Sequence, residues 1–238
     1  MRAINRLLPV VAFLAFSACS VPVYAAAGAA GHWEGKIQIP DHELSVAVDL
    51  ARTPSGAWIG SLSIAGTSST DVPLIKITVS DAGVQFTASL PGETSFTGTL
   101  STDERSLAGK VSNAEGAVPF QLVRTGEANV KLPPASSQSS RDFEGSWEGA
   151  LEVGGQVRQI RLKMASAPDG TATAVLVSVA KQLEIPVTTV TIEGRTLTLE
   201  ARSVGGIFRG TLGSGGEITG EWTEKTVHAP LIFKRAKP

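Results

Sequence analysis

The chain has 238 residues, of which 42% are hydrophobic and 18% charged, with 25 glycines, one cysteine and a formal net charge of −1. This length holds one large domain or two small ones, and an apolar content without blocks of like charge describes a globular chain rather than a disordered one. The near-neutral balance gives no reason to expect nucleic acid as a partner, and a lone cysteine excludes an intramolecular disulfide.

In chain order, the first element is a targeting segment. Arg2 and Arg6 form a positive start, "LLPVVAFLAF" (7–16) is an apolar run too short to span a bilayer, and small residues follow. Two processing routes are open. Cleavage after "VYA" makes residues 1–25 a signal peptide and the mature chain soluble. Alternatively "AFSAC" (15–19) reads as a lipoprotein signal over 1–18, leaving Cys19 to carry lipid and act as a membrane anchor. Either route gives an exported protein, periplasmic or secreted in the first case and an outer-membrane lipoprotein in the second.

Beyond the leader the chain says nearly the same thing twice. "GHWEG" (31–35) returns as "GSWEG" (145–149), which places Trp33 and Trp147 at an offset of 114 (147 − 33). "TPSG" (53–56) falls on "APDG" (167–170), "FTGTL" (96–100) on "FRGTL" (208–212), and "VPFQLVR" (118–124) on "APLIFKR" (229–235). Repetition at this scale predicts two copies, 32–125 and 143–238. The intervening 126–142, "GEANVKLPPASSQSSRD", has the Pro, Ser and Gln content of a flexible linker.

The dominant period within each copy is two. "LSVAVDL" (44–50) puts Leu44, Val46, Val48 and Leu50 on one face, and its counterpart "IRLKM" (160–164) buries Ile160, Leu162 and Met164 while Arg161 and Lys163 face water. Similar alternation in "WEGKIQI", "VQFTA", "TLTLE" and "VPFQL", bounded by turns such as "SDAG" and "GSGG", predicts about eight short strands per copy in an antiparallel meander. Gly35, Gly98 and Gly109, with Gly149, Gly210 and Gly220, fall in the inward phase, where a missing side chain permits the coiling of a closed barrel. The expected fold is therefore all-β, with two tandem small up-and-down barrels.

"GHW" and "GSW" open the first strand of each copy, and Arg124 or Arg235 ends the last. This resembles the signature of the calycin superfamily, the lipocalins and avidins. The resemblance implies that Trp33 and Trp147 each pack beneath the Arg of their own copy and close one end of a barrel. A stacked guanidinium contributes about 0.5–2 kcal/mol there. The longer pattern "SWEGAL…RLKM…PDGTATAVLVS…IPVTTVTIEGRTLTLE…FRGTL…GGEITGEW…PLIFKR" is similar to the all-β module that precedes the catalytic domain in many secreted bacterial α/β-hydrolases, here present twice without the hydrolase. That family continues its Gly-x-Trp with a Gln-rich turn. The second copy keeps Gly220 and Trp222 but reads "TEKTVHA", and the first has Val111 at the Trp position.

Sites for chemistry are few. No Gly-x-Ser-x-Gly, His-Glu-x-x-His or phosphate-loop pattern occurs, and no catalytic, cofactor or metal residue is assigned. Ser178 and Lys181 have Ser-x-x-Lys spacing, but that chemistry needs a helix start and these residues read as strand or hairpin. His32, His42 and Asp41 form a conceivable metal set across the first hairpin, which the second copy does not repeat. Glu34 and Glu148 recur beside the tryptophans in an outward phase. The aromatics Trp33, Phe86, Phe96, Phe120, Trp147, Phe208, Trp222 and Phe233 either fill the barrels or line a cavity for an apolar molecule, with filling favoured. The expected function is that of a non-catalytic bacterial envelope protein with a small hydrophobic ligand in a barrel; the alternative is an interaction module that docks another envelope protein, such as a separately encoded hydrolase.

Overall fold

The computed structural model describes residues 28–236, so the leader, the cut at Ala25 and the anchor at Cys19 lie outside the described residues. Every regular element among the described residues is a strand.

The first copy contributes β1 (Gly31–Ile39), β2 (His42–Arg52), β3 (Trp58–Ile64), β4 (Val72–Ser80), β5 (Gly83–Ala88), β6 (Thr94–Leu100), β7 (Ser106–Asn113) and β8 (Gly116–Gly126). Each pairs antiparallel with the next, and β8 returns to β1, so the eight strands form a closed barrel. The two-residue period sets what is inside: on β2, Val46, Val48 and Leu50 are buried and the residues between them are not. Three rings occupy the middle of the interior. Phe86 stacks on Phe96 at 4.8 Å, and Phe96 meets Phe120 edge-on at 5.5 Å, contacts worth about 0.5–1.5 kcal/mol each beyond their burial.

The second copy contributes β9 (Gly145–Val153), β10 (Gln156–Ser166), β11 (Ala172–Ser178), β12 (Leu183–Pro186), β13 (Thr189–Glu193), β14 (Thr196–Ala201), β15 (Gly206–Leu212), β16 (Glu217–Glu224) and β17 (Val227–Arg235). They form one curled nine-stranded sheet in the order β12-β11-β10-β9-β17-β16-β15-β14-β13. Where a closed eight-stranded barrel was expected, the counterpart of β4 is split between the two edges of this sheet. In both copies a proline marks the place where that strand changes partners. Pro73 stands opposite Ser61 of β3 while the next residue, Leu74, stands opposite Ala88 of β5. Pro186 is the last residue in register with β11; Val187 N makes one more bond to that strand, at Ala174 O (3.3 Å), and Thr188 N already donates to Glu200 O of β14 at 2.7 Å. A residue without an N–H is suited to the point where a ladder ends.

Cross-strand glycine pairs allow the tight coiling. Gly98 faces Gly109, and Gly210 faces Gly220, at matching places in the two copies. A Cβ on Gly220 would lie 2.2 Å from Arg209 O and 2.5 Å from Gly210 Cα, and one on Gly109 would lie 2.0 Å from Thr97 O. Neighbouring backbones approach too closely there for any side chain.

The linker is more ordered than its composition implies. Ser137 bridges two strands, its N donating to Val190 O and its O accepting from Ala172 N, each at 2.8 Å, and Ser139 N donates to Gly170 O at 2.9 Å. The hydroxyls of Ser136 and Ser137 accept from the amides of Val190 and Ile192, both at 3.0 Å. The serines therefore lie in the seam between β11 and β13 and satisfy strand amides that have no neighbouring strand.

The copies also touch directly. Ser69 donates through Oγ to Ser203 O at 2.7 Å, and the Arg202 guanidinium reaches Asp71 O at 3.2 Å and Lys131 O at 3.0 Å. Both serines are buried, so the contact between the β3–β4 and β14–β15 loops excludes water.

Candidate functional site

Each sheet has a closed end and an opposite end built from hairpins. At the closed ends Trp33 and Trp147 are fully buried. Their indoles donate to Ala29 O at 3.0 Å and Phe143 O at 2.8 Å, carbonyls of the turns that lead into β1 and β9. The guanidinium of Arg124 lies 4.7 Å above the Trp33 ring, and that of Arg235 lies 4.3 Å above Trp147. Arg235 continues to Glu144 O at 2.8 Å and Asp142 O at 2.7 Å, and Arg124 to Gly28 O. The arginines thus tie the entering turn to the last strand, and these four residues are structural in their contacts.

The opposite end of the second sheet contains a cavity of about 570 Å³. Its wall is formed by Leu151, Ile160, Leu176, Ile185, Trp222 and Leu231, each from a different one of six strands. Inward phase along β10 runs from Met164 and Leu162 near the closed end to Ile160 and then Arg158 at the opening. The opening is rimmed by Arg158, Ser178, Lys181 and Glu224. Pro91, from the β5–β6 loop of the first copy, completes one side.

The difference between the copies has a local cause. Aligned positions replace Phe86 by Leu199 and Phe120 by Leu231, so two of the three rings that fill the first barrel are absent from the second. Leu231 borders the cavity, and Trp222, at the position of Val111, forms another part of its wall. All eight aromatics expected to fill or line the barrels are buried in the two cores, and Trp222 also borders the cavity. A comparison of the copies residue by residue carries this signal; the hydrophobic pattern of either copy alone does not.

The remaining candidates are dispersed. In the β1–β2 register His32 stands opposite Asp49, while His42 stands opposite Ile39 at the other end of the hairpin. Seven residues of strand separate them, roughly 23 Å at about 3.3 Å per residue, and no group of three metal-capable side chains occurs among the described residues. The conceivable set with Asp41 is corrected accordingly: the hairpin register holds its histidines apart. Ser178 ends β11 and Lys181 lies in the following turn, with no helix start to orient them. Glu34 and Glu148 are exposed, Glu148 paired with Arg161 at 3.0 Å.

His32 has one consequence for stability. Its Nδ1 lies 2.9 Å from Asp49 Oδ1 and its Nε2 lies 3.5 Å from Glu34 Oε1. The hydrogen bond to Asp49 raises its pKa above the ordinary 6.5, with burial opposing the shift. Because the folded value exceeds the unfolded one, the stabilisation is complete below 6.5 and disappears as pH rises through the folded value. Asp49 Oδ1 also accepts from Asn129 N at 2.7 Å. The first barrel is expected to melt at a lower temperature on going from about pH 6 to about pH 8, with a shallower slope in Asp49→Asn. An NMR titration of His32 showing an apparent pKa at or below 6.5 would remove the basis of this expectation.

No protein-family model matches the chain, and no curated protein matches it. Among solved structures it is similar to a candidate outer membrane protein of Bacteroides fragilis, at 14% identity over 87% of this chain and 97% of that one, with a TM-score of 0.29. It is also similar to a protein of unknown function from the DUF3598 family of Nostoc punctiforme, at 12% identity over 88% of this chain and 97% of that one, with a TM-score of 0.27.

Proposed function

We propose that the protein is a non-catalytic component of the bacterial envelope, exported by its leader, whose second barrel holds a small, mainly apolar molecule. The observation that carries this reading is the cavity of about 570 Å³ at the mouth of that barrel. Its size falls in the range of about 300–1,000 Å³ of small-molecule sites, and an apolar wall with a few polar groups at the rim is their usual composition. The packed rings of the first barrel support a division of labour in which one copy is filled and the other is left open. The non-catalytic part of the reading is supported by the dispersion of the candidates: His32 and His42 stand at opposite ends of their hairpin, and Ser178 and Lys181 lie at a strand end and a turn, with no helix start to orient them.

Native mass spectrometry of protein recovered from its own cells is expected to show extra mass that is lost on denaturation. Leu231→Phe restores the ring present at Phe120 and is expected to weaken binding of the recovered molecule, or of anilinonaphthalene sulfonate, by about tenfold or more, equivalent to about 1.4 kcal/mol. Equal native and denatured masses, together with unchanged dye binding in Leu231→Phe, would overturn the reading.

A further inference from the structure

The hairpin tips around the cavity expose apolar side chains. Val157, just beyond the Gly154–Gly155 turn, is 62% exposed, and Val179, on the neighbouring tip, is 43% exposed. Val179 N donates to Gln159 O at 3.0 Å, so the two tips stand side by side. Gly154 and Gly155 have φ of +59° and +74°, and a Cβ on either would meet nothing within 4 Å, so the first tip projects freely. Val157 lines the same opening as the inward leucines, and Val179 stands in the chain between the lining residues Ser178 and Ala180. Single exposed apolar residues are ordinary, whereas apolar tips beside an apolar opening make a continuous surface.

This end carries three cations without carboxylate partners among the described residues, and two carboxylates. Arg158 and Lys181 are at the rim and Lys225 is in the β16–β17 turn; all three are exposed. None of them forms an ion pair with a described carboxylate, although Lys163 on the adjoining wall pairs with Glu184 at 2.9 Å and Lys234 farther along β17 pairs with Glu217 at 3.2 Å. The acidic groups facing the same region are Glu152, opposite Val157 in the β9–β10 register, and Glu224, whose Oε2 lies 3.5 Å from Trp222 Nε1. Apolar tips flanked by unpaired cations match a bilayer that carries anionic headgroups, with the valines at the acyl boundary and the cations at the phosphates.

We propose that the mouth of the second barrel docks on an anionic lipid bilayer, so that an apolar molecule passes between bilayer and cavity without crossing water; the proposal rests on the ligand reading above. The test uses the chain from Ala26 to Pro238, which retains every described residue and lacks Cys19, in flotation with vesicles of phosphatidylethanolamine and phosphatidylglycerol. The expected result is partition onto these vesicles, weakened by added salt and by replacing phosphatidylglycerol with phosphatidylcholine. The double variant Val157→Asp/Val179→Asp is expected to lose at least about tenfold in partition while keeping its melting temperature, because both side chains are exposed. Lys181→Glu/Lys225→Glu is expected to reduce partition onto the anionic vesicles selectively.

Leu231→Phe keeps the two readings apart: it is expected to retain vesicle binding while losing dye binding. Wild-type protein that binds dye but does not float would overturn docking and leave the ligand reading standing. Partition unaffected by the valine substitutions would also overturn it. A dimer in sedimentation equilibrium that the valine substitutions dissolve, without flotation, would assign the rim to a second copy of the chain and overturn the proposal.

Discussion

Trp147→Ala is expected to destabilise the second barrel by about 3–5 kcal/mol, the cost of removing a large aromatic from a packed core. The side chain is wholly inaccessible, and the inward side chain directly opposite it on β10 is Leu162, itself fully buried. Its removal leaves a void between the strands and the Arg235 guanidinium, since Arg235 is still held by Glu144 O and Asp142 O and cannot follow the ring inward. The substitution also leaves Phe143 O without the indole donor it has at 2.8 Å, and an unmatched buried acceptor adds to the loss. Trp147→Phe retains most of the packing and is expected to fall between the two. Calorimetry or thermal circular dichroism measures the effect, and an unchanged transition in Trp147→Ala would contradict the role of this ring at the closed end.

Gly220→Val is expected to prevent the second sheet from curling, at a cost of about 3 kcal/mol or more. The obstacle to a new Cβ is backbone: Arg209 O at 2.2 Å and Gly210 Cα at 2.5 Å. A flexible side chain can move aside at small cost, but here two hydrogen-bonded strands must separate, which breaks the ladder between β15 and β16. Gly215→Ala is the appropriate control, because a Cβ at that position meets nothing within 4 Å. The variant at 215 is expected to melt as the parent does. If Gly220→Val also folds with unchanged stability, the close approach of the glycine pair is not what shapes the sheet.

Much of the fold was legible because periodicity and repetition are local properties of a sequence. The alternation in "LSVAVDL" is enough to direct Val46, Val48 and Leu50 inward, and the matching offsets of the two copies require two similar sheets. The division of the β4 counterpart into β12 and β13 was harder to see. It depends on which neighbour each residue bonds after Pro186, and strand periodicity contains no partner identity. The cavity was unreadable for a related reason: Leu and Phe score alike as inward apolar residues, and only their stacking at one level of a barrel makes the exchange of Phe120 for Leu231 a difference in volume. The pairing of His32 with His42 failed because adjacency in a hairpin was inferred without its register. The serines of the linker read as solvent-loving spacer, since composition does not distinguish a hydroxyl bonded to water from one bonded to a strand amide.

That seam bears on where a barrel begins. Sequence similarity starts the second copy near Phe143, yet Ser136 and Ser137 supply acceptors for Val190 and Ile192, and Thr189 Oγ1 donates to Pro134 O at 3.2 Å. The inherited unit and the folding unit therefore have different boundaries. A fragment cut at the edge of the duplicated sequence would leave amides bare along β13, whereas one begun a few residues before Pro134 would carry its own closure. In a chain made vectorially from the N-terminus, this segment is already present when the last strands of the second barrel emerge, so the barrel assembles around a tether that belongs to neither ancestral copy.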